Sequence, residues 1–109
     1  MTDIDTIRDN VHELERLAQL AEEATELAQA ALKLRRVYRR TGNPTPVTLQ
    51  EAYQSLLEEL ADVKVCLAVL NLDANGTQWR VDQLAEEKLH RWAERLRPVE
   101  MEGETDVQT

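Results

Sequence analysis

The chain has 109 residues, with 21 Asp and Glu against 13 Lys and Arg and a net charge of −8 at pH 7. That surplus argues against a binder of nucleic-acid backbones, which needs a positive face, and a chain of this length has a core modest enough that a second copy often completes it. Leu, Ala, Glu and Arg dominate, Phe is absent, and only 3 Gly and 3 Pro occur, a composition that predicts an all-α protein. Residues 3 to 9 read as a short lead-in helix. Asn10-Val11-His12-Glu13 then reads as a capping box, with Asn10 as N-cap and Glu13 reaching back. The helical period continues through Leu14, Leu17, Leu20, Ala24, Leu27, Ala31 and Leu34 to about Arg40. Lys33, Arg35, Arg36, Arg39 and Arg40 give that helix the charge suited to a C-terminus. Gly42, Pro44 and Pro46 stop it.

Thr48-Leu49-Gln50-Glu51 is a second capping box and opens the next helix, which runs to about Asn71–Asp73. Between Leu60 and Leu70 this helix is apolar nearly all round, with only Asp62 and Lys64 interrupting, so burial on most of its circumference is expected, in the fold or against another subunit. Cys66 lies in that run and reads as a small core residue. As a lone cysteine it supplies neither a disulfide framework nor a thiolate metal set. Asn75-Gly76 signals a turn, Thr77 is placed to cap a third long helix, and Trp79, Val81, Leu84, Leu89, Trp92 and Leu96 give its apolar positions before Pro98. The acidic segment 99–109 lacks periodicity and reads as a disordered tail. The acidic N-terminus has no signal features, and no apolar run approaches the roughly 20 residues that span a bilayer. A single domain over 1–98 is therefore expected in a cytoplasmic protein without membrane or nucleic-acid partners.

Two acidic groups need an explanation. Glu59 and Asp62 stand one turn apart on a helix that is otherwise apolar, and a carboxylate there is costly unless paired, hydrogen-bonded or bound to a cation. Upstream lies Glu22-Glu23-Ala24-Thr25-Glu26. At about 100° per residue, Glu23 and Glu26 bear the same angular relation to the stripe Leu17, Leu20, Ala24, Leu27, Ala31 as Glu59 and Asp62 bear to Leu56, Leu60, Val63, Leu67. Antiparallel packing through those stripes would bring both pairs to one edge of the contact. Four carboxylates converging there repel one another, and an all-oxygen set of this kind suits Mg²⁺ or Mn²⁺. The chain has no Gly-rich phosphate loop and no Ser/His/Asp set.

Glu22-Glu23-x-x-Glu26 followed by Glu59-x-x-Asp62 resembles the EExxE…ExxD signature of the all-α nucleoside triphosphate pyrophosphohydrolases, and the MazG-like branch is the nearest match. The resemblance covers about residues 10 to 97. It implies a helical bundle completed as a homodimer or dimer of dimers. Glu23, Glu26, Glu59 and Asp62 would hold Mg²⁺, with Mn²⁺ as an alternative, and Glu22 would serve as an outer-shell residue or base. The implied reaction hydrolyses a nucleoside triphosphate to the monophosphate and pyrophosphate, a nucleotide-pool house-cleaning activity. Members of the family often carry a basic motif on the last helix. Here Lys88, Arg91 and Arg95 recur at helical spacing as candidate phosphate contacts, without the Asn of some relatives.

Two rival readings follow from the same residues. A carboxylate-bridged di-iron bundle wants two Glu-x-x-His pairs, and this chain has one, Glu87-x-x-His90. A non-enzymatic helical dimerisation or interaction module would use the 57–70 helix as an interface and the acidic faces as solubilising surface.

Overall fold

In a computed structural model, which describes residues 1–39, 46–70 and 76–98, the protein is all-α among the described residues. The helices are α1 (Asp3–Asn10), α2 (Glu13–Arg39), α3 (Leu49–Val69) and α4 (Thr77–Leu96). No helix is long and apolar enough to cross a membrane, among the described residues. The chain divides into two compact units, Met1–Leu72 with α1 to α3 and Asp73–Thr109 with α4. The expected stop at Gly42 and Pro44 and the expected acidic tail lie outside the described residues.

Local chemistry sets the helix starts. The Thr2 hydroxyl accepts from the Asp5 backbone N–H at 3.1 Å, and the Asp5 carboxylate accepts from the Thr2 N–H at 3.2 Å. Thr48 and Glu51 repeat this reciprocal pair at the start of α3, at 3.1 and 2.9 Å, as the sequence predicts. Asn10 is not the cap of α2. It ends α1, with its side-chain amide donating back to the Thr6 carbonyl. His12 takes that place. Its ring Nδ1 accepts from the Leu14 N–H, and its carbonyl accepts from the N–H groups of Glu15 and Arg16. Thr77 is likewise the first residue of α4 rather than its cap. Gly76 holds the cap position at φ 72°, a left-handed conformation that glycine adopts without the steric cost of a Cβ.

Helices α2 and α3 form an antiparallel hairpin. At one end, Arg16 near the start of α2 donates to the Val69 carbonyl at the close of α3, at 2.6 Å. Arg8 of α1 donates to the Ala68 carbonyl at 2.8 Å and to Val69 at 3.4 Å. Two guanidinium groups thus satisfy carbonyls that the last turn of α3 leaves without partners, and they place positive charge at its negative end.

The contact between the helices follows steps of three and four residues. The seam positions on α2 are Leu20, Glu23, Leu27, Ala30, Leu34 and Val37, with Arg16, Lys33 and Arg36 half-buried beside them; on α3 they are Ala52, Leu56, Glu59, Val63, Cys66 and Val69. Small side chains at Ala30, Ala52 and Cys66 permit close approach of the backbones.

This seam is rotated from the one expected. Leu17, Ala24 and Ala31 of the predicted α2 stripe are exposed, as are Leu60 and Leu67 of the predicted α3 stripe. Within this chain the apolar surface of α3 is buried only in part. Val69 is 6% exposed, but Val65 is 56% exposed and Ala68 is open as well. The physical reason is width. A two-helix seam covers only part of an apolar arc this broad, and pairing uses the part next to the acids. The remaining arc of each helix, about 90° round from the seam, carries Leu17, Leu49, Tyr53, Leu60 and Leu67 exposed. For antiparallel helices these two arcs fall on the same side of the hairpin.

Candidate metal centre

The rotation of the seam changes the setting of the acids. Glu23 lies between Leu20 and Leu27 along the contact, and Glu59 lies between Leu56 and Val63, so both are half-buried seam residues and not edge residues. Glu26 and Asp62 stand on the flank of their helices opposite the apolar arc, and both are exposed. Helical geometry enforces this arrangement, because a residue three positions beyond a seam residue lies about 60° round from it.

One carboxylate oxygen each from Glu23, Glu26 and Glu59 lies within 4.8 Å of the others. Asp62 joins the group through side-chain contacts with Glu23 and with Glu59. Glu23, Glu26 and Glu59 are thus brought together, with Asp62 beside them. Burial, first, and then the charges of Glu26 and Asp62 push the Glu23 carboxyl above its ordinary value. Glu59 is raised for the same reasons, burial first and then Glu26 and Asp62. The Glu59 oxygen Oε1 is fully shielded from solvent and has no hydrogen-bond partner. Its neighbours are other carboxylates, which when ionised can only accept. An orphaned acceptor facing other acceptors is the signature of a group that needs a cation or a proton.

Two hollows flank the cluster. A cavity of about 530 Å³ is lined by Glu26, Gln29, Ala30, Lys33, Arg36, Ser55 and Glu59. A smaller one, about 230 Å³, is lined by Gln19, Glu23, Asp62, Val65 and Cys66. Gln19 donates to the Glu23 carboxylate at 2.9 Å and partly offsets its repulsion. The Cys66 thiol is buried, as expected of a core residue, and burial pushes its pKa up, with Glu23 and Asp62 adding to the effect. Glu22 is exposed and lines neither hollow.

Lys88, Arg91 and Arg95 lie on one exposed face of α4, in the second unit. Within that helix Glu94 meets Arg97 at 2.8 Å and His90 at 3.8 Å. Gln19, Ser55 and Gln29 are not marked by any sequence signal, and the basic run from Lys33 to Arg40 reads from sequence mostly as a helix end, with contact to substrate phosphate as the lesser reading. Lys33 and Arg36 were hidden inside a basic run that also satisfies a helix C-terminus, and only the register of the hairpin separates them from it.

No protein-family model matches the chain, and neither curated proteins nor solved structures show significant similarity to it.

The direction of the two shifts gives a pH signature. A carboxyl whose folded pKa is raised stabilises the fold while it is protonated, and that contribution is lost as pH rises from near the ordinary value of 4.5 through the raised value. In chelator, Glu59→Gln removes one buried charge and should raise Tm at pH 7. The gain over wild type should shrink toward zero as pH falls below that window. Thermal melts of both proteins from pH 4 to 8 check this. An advantage independent of pH, or a lower Tm for the variant at pH 7, contradicts the electrostatic account.

Proposed function

We propose that this chain is a metal-dependent hydrolase of the all-α nucleoside triphosphate pyrophosphohydrolase type, converting a nucleoside triphosphate to its monophosphate and pyrophosphate. The observation that carries the reading is the cluster of Glu23, Glu26 and Glu59, with Asp62 beside it and the Glu59 oxygen buried and unpartnered. An all-oxygen donor set of this charge fits Mg²⁺ or Mn²⁺. The ion, when bound, supplies charge neutralisation for the phosphates and lowers the pKa of a bound water.

The chain's own residues perform the remaining tasks. Glu59 and Glu23, fixed in the seam, hold their carboxylates in place with little rotamer freedom. Glu26 and Asp62 close the set from the flank. Gln19 orients Glu23 through its hydrogen bond. Glu22, adjacent in sequence, is a candidate for accepting the proton of the attacking water, and Lys88, Arg91 and Arg95 are candidates for additional phosphate contact.

The family resemblance supports attack between the α- and β-phosphates, which releases pyrophosphate as a unit. Hydrolysis should vanish in EDTA and return with Mg²⁺ or Mn²⁺, and the nucleotide product should be the monophosphate. Asp62→Asn and Glu59→Gln should each lower turnover by more than the roughly 10- to 100-fold cost of losing an outer-shell partner, with helicity retained. A panel of nucleoside triphosphates scored for pyrophosphate against orthophosphate checks both claims. Metal-independent turnover, or orthophosphate with the diphosphate as products, overturns the reading.

A second reading concerns assembly, and the exposed arc of Leu17, Leu49, Tyr53, Leu60 and Leu67 favours it. A continuous apolar face of this kind marks an interaction surface. We propose that a second copy covers it, completing a bundle as a dimer or dimer of dimers. Sedimentation at micromolar concentration should give a dimeric or tetrameric mass; a strictly monomeric chain contradicts it. A helical module without catalysis would keep that assembly and show no stabilisation by Mg²⁺ or Mn²⁺.

A further inference from the structure

The larger cavity has carboxylates at one end and cations at the other. Glu26 and Glu59 line it beside the acid cluster, and Lys33 and Arg36 line it farther along α2. Lys33 is seven residues beyond Glu26, about two turns or 10 Å along the helix axis. Ser55 lies one turn before Glu59 on α3, and because the helices run antiparallel it falls toward the same end as Lys33. Gln29 completes the polar wall. Among the described residues, Lys33 has no carboxylate within ion-pair distance. Lys33 is half-buried and lines the cavity.

Carboxylates that hold a cation also repel the phosphates it attracts. A polyphosphate bound at one end to that cation therefore gains from positive charge placed away from the acids. We propose that Lys33 and Arg36, with Ser55 and Gln29 beside them, form the wall that receives the phosphate chain of the substrate. This assignment rests on the metal-dependent reading of the acid cluster. It places phosphate recognition on the same hairpin as the metal ligands, independent of the basic face of α4. Lys33 supplies a mobile point charge and Arg36 a planar fork for two phosphate oxygens. Ser55 and Gln29 supply neutral donors.

The probe is the Mn²⁺ complex of inorganic tripolyphosphate, titrated calorimetrically into the full Mn²⁺-loaded chain. Lys33→Gln and Arg36→Gln should each weaken its binding by about tenfold or more, while Mn²⁺ affinity measured without polyphosphate stays within about twofold of wild type. Lys33→Arg should restore most of the loss. Arg35→Gln removes the same charge from an exposed neighbour that does not line the cavity and should bind as wild type does. Circular dichroism of each variant reports the fold, and Lys33→Met, which removes the charge and keeps the apolar stem, carries the test with the same expected loss if a glutamine variant unfolds. Unchanged tripolyphosphate binding in Lys33→Gln and Arg36→Gln, with Mn²⁺ binding intact, overturns this assignment and leaves the hydrolytic reading standing. An equal loss in Arg35→Gln overturns it too, since the effect is then the general field of the basic helix end. Failure of the wild-type chain to bind Mn²⁺ overturns both.

Discussion

Two carboxylates are held in the apolar seam of a helical hairpin, and the rest of the site depends on that constraint. Glu23 and Glu59 occupy half-buried positions in the contact, in line with Leu20 and Leu27 on one helix and Leu56 and Val63 on the other. Burial and the neighbouring charges of Glu26 and Asp62 make their ionised forms costly, and the shielded Glu59 oxygen has no donor. Such groups reduce stability unless something neutralises them. A sequence that retains charged side chains where apolar ones would stabilise is best understood as trading stability for a function performed at that point.

The hairpin divides its chemistry by direction. One flank is polar and opens into two hollows beside the acids; the opposite flank is an apolar arc built from both helices. Antiparallel pairing produces this division, because equivalent rotations from the seam on the two helices face the same way. The guanidinium groups of Arg8 and Arg16 fix the end of α3 against α1 and the start of α2. Hydrogen bonds from charged donors of this kind contribute on the order of 1.5–3 kcal/mol each, and they hold the register that sets Glu23 opposite Glu59. A shift of one residue along either helix would turn its acids about 100° away.

Much of this arrangement was legible in the sequence. Composition gave the all-α class, the Thr48–Glu51 box gave the start of α3, and the matched phase of the two acidic pairs pointed to the approach of Glu59 to Glu23 and Glu26. The core direction was misread by roughly 50–70° on both helices, in helical-wheel terms. Leu17, Ala24, Leu60 and Leu67 look like core because periodicity counts every apolar residue alike, whichever partner it awaits. Glu23 and Glu59 were consequently placed at an edge, and the strength of their desolvation was missed. The caps at Asn10 and Thr77 failed for a local reason. Side-chain preference marks where a helix can begin, but His12 and Gly76 had the backbone geometry that closes the first turn. The cavity wall at Lys33 and Ser55 joins residues from two helices, and only the register of the pair brings them together.

The central claim is that the hairpin seam presents a divalent-cation site built from Glu23, Glu26, Glu59 and Asp62. Crystals of the chain soaked in Mn²⁺ and measured at the manganese absorption edge test it most directly. The account predicts an anomalous peak bounded by those four carboxylates, with Glu59 Oε1 among the ligating atoms, and no such peak in a Glu59→Gln crystal treated alike. Manganese bound only elsewhere, with the seam carboxylates closed on one another, would contradict it.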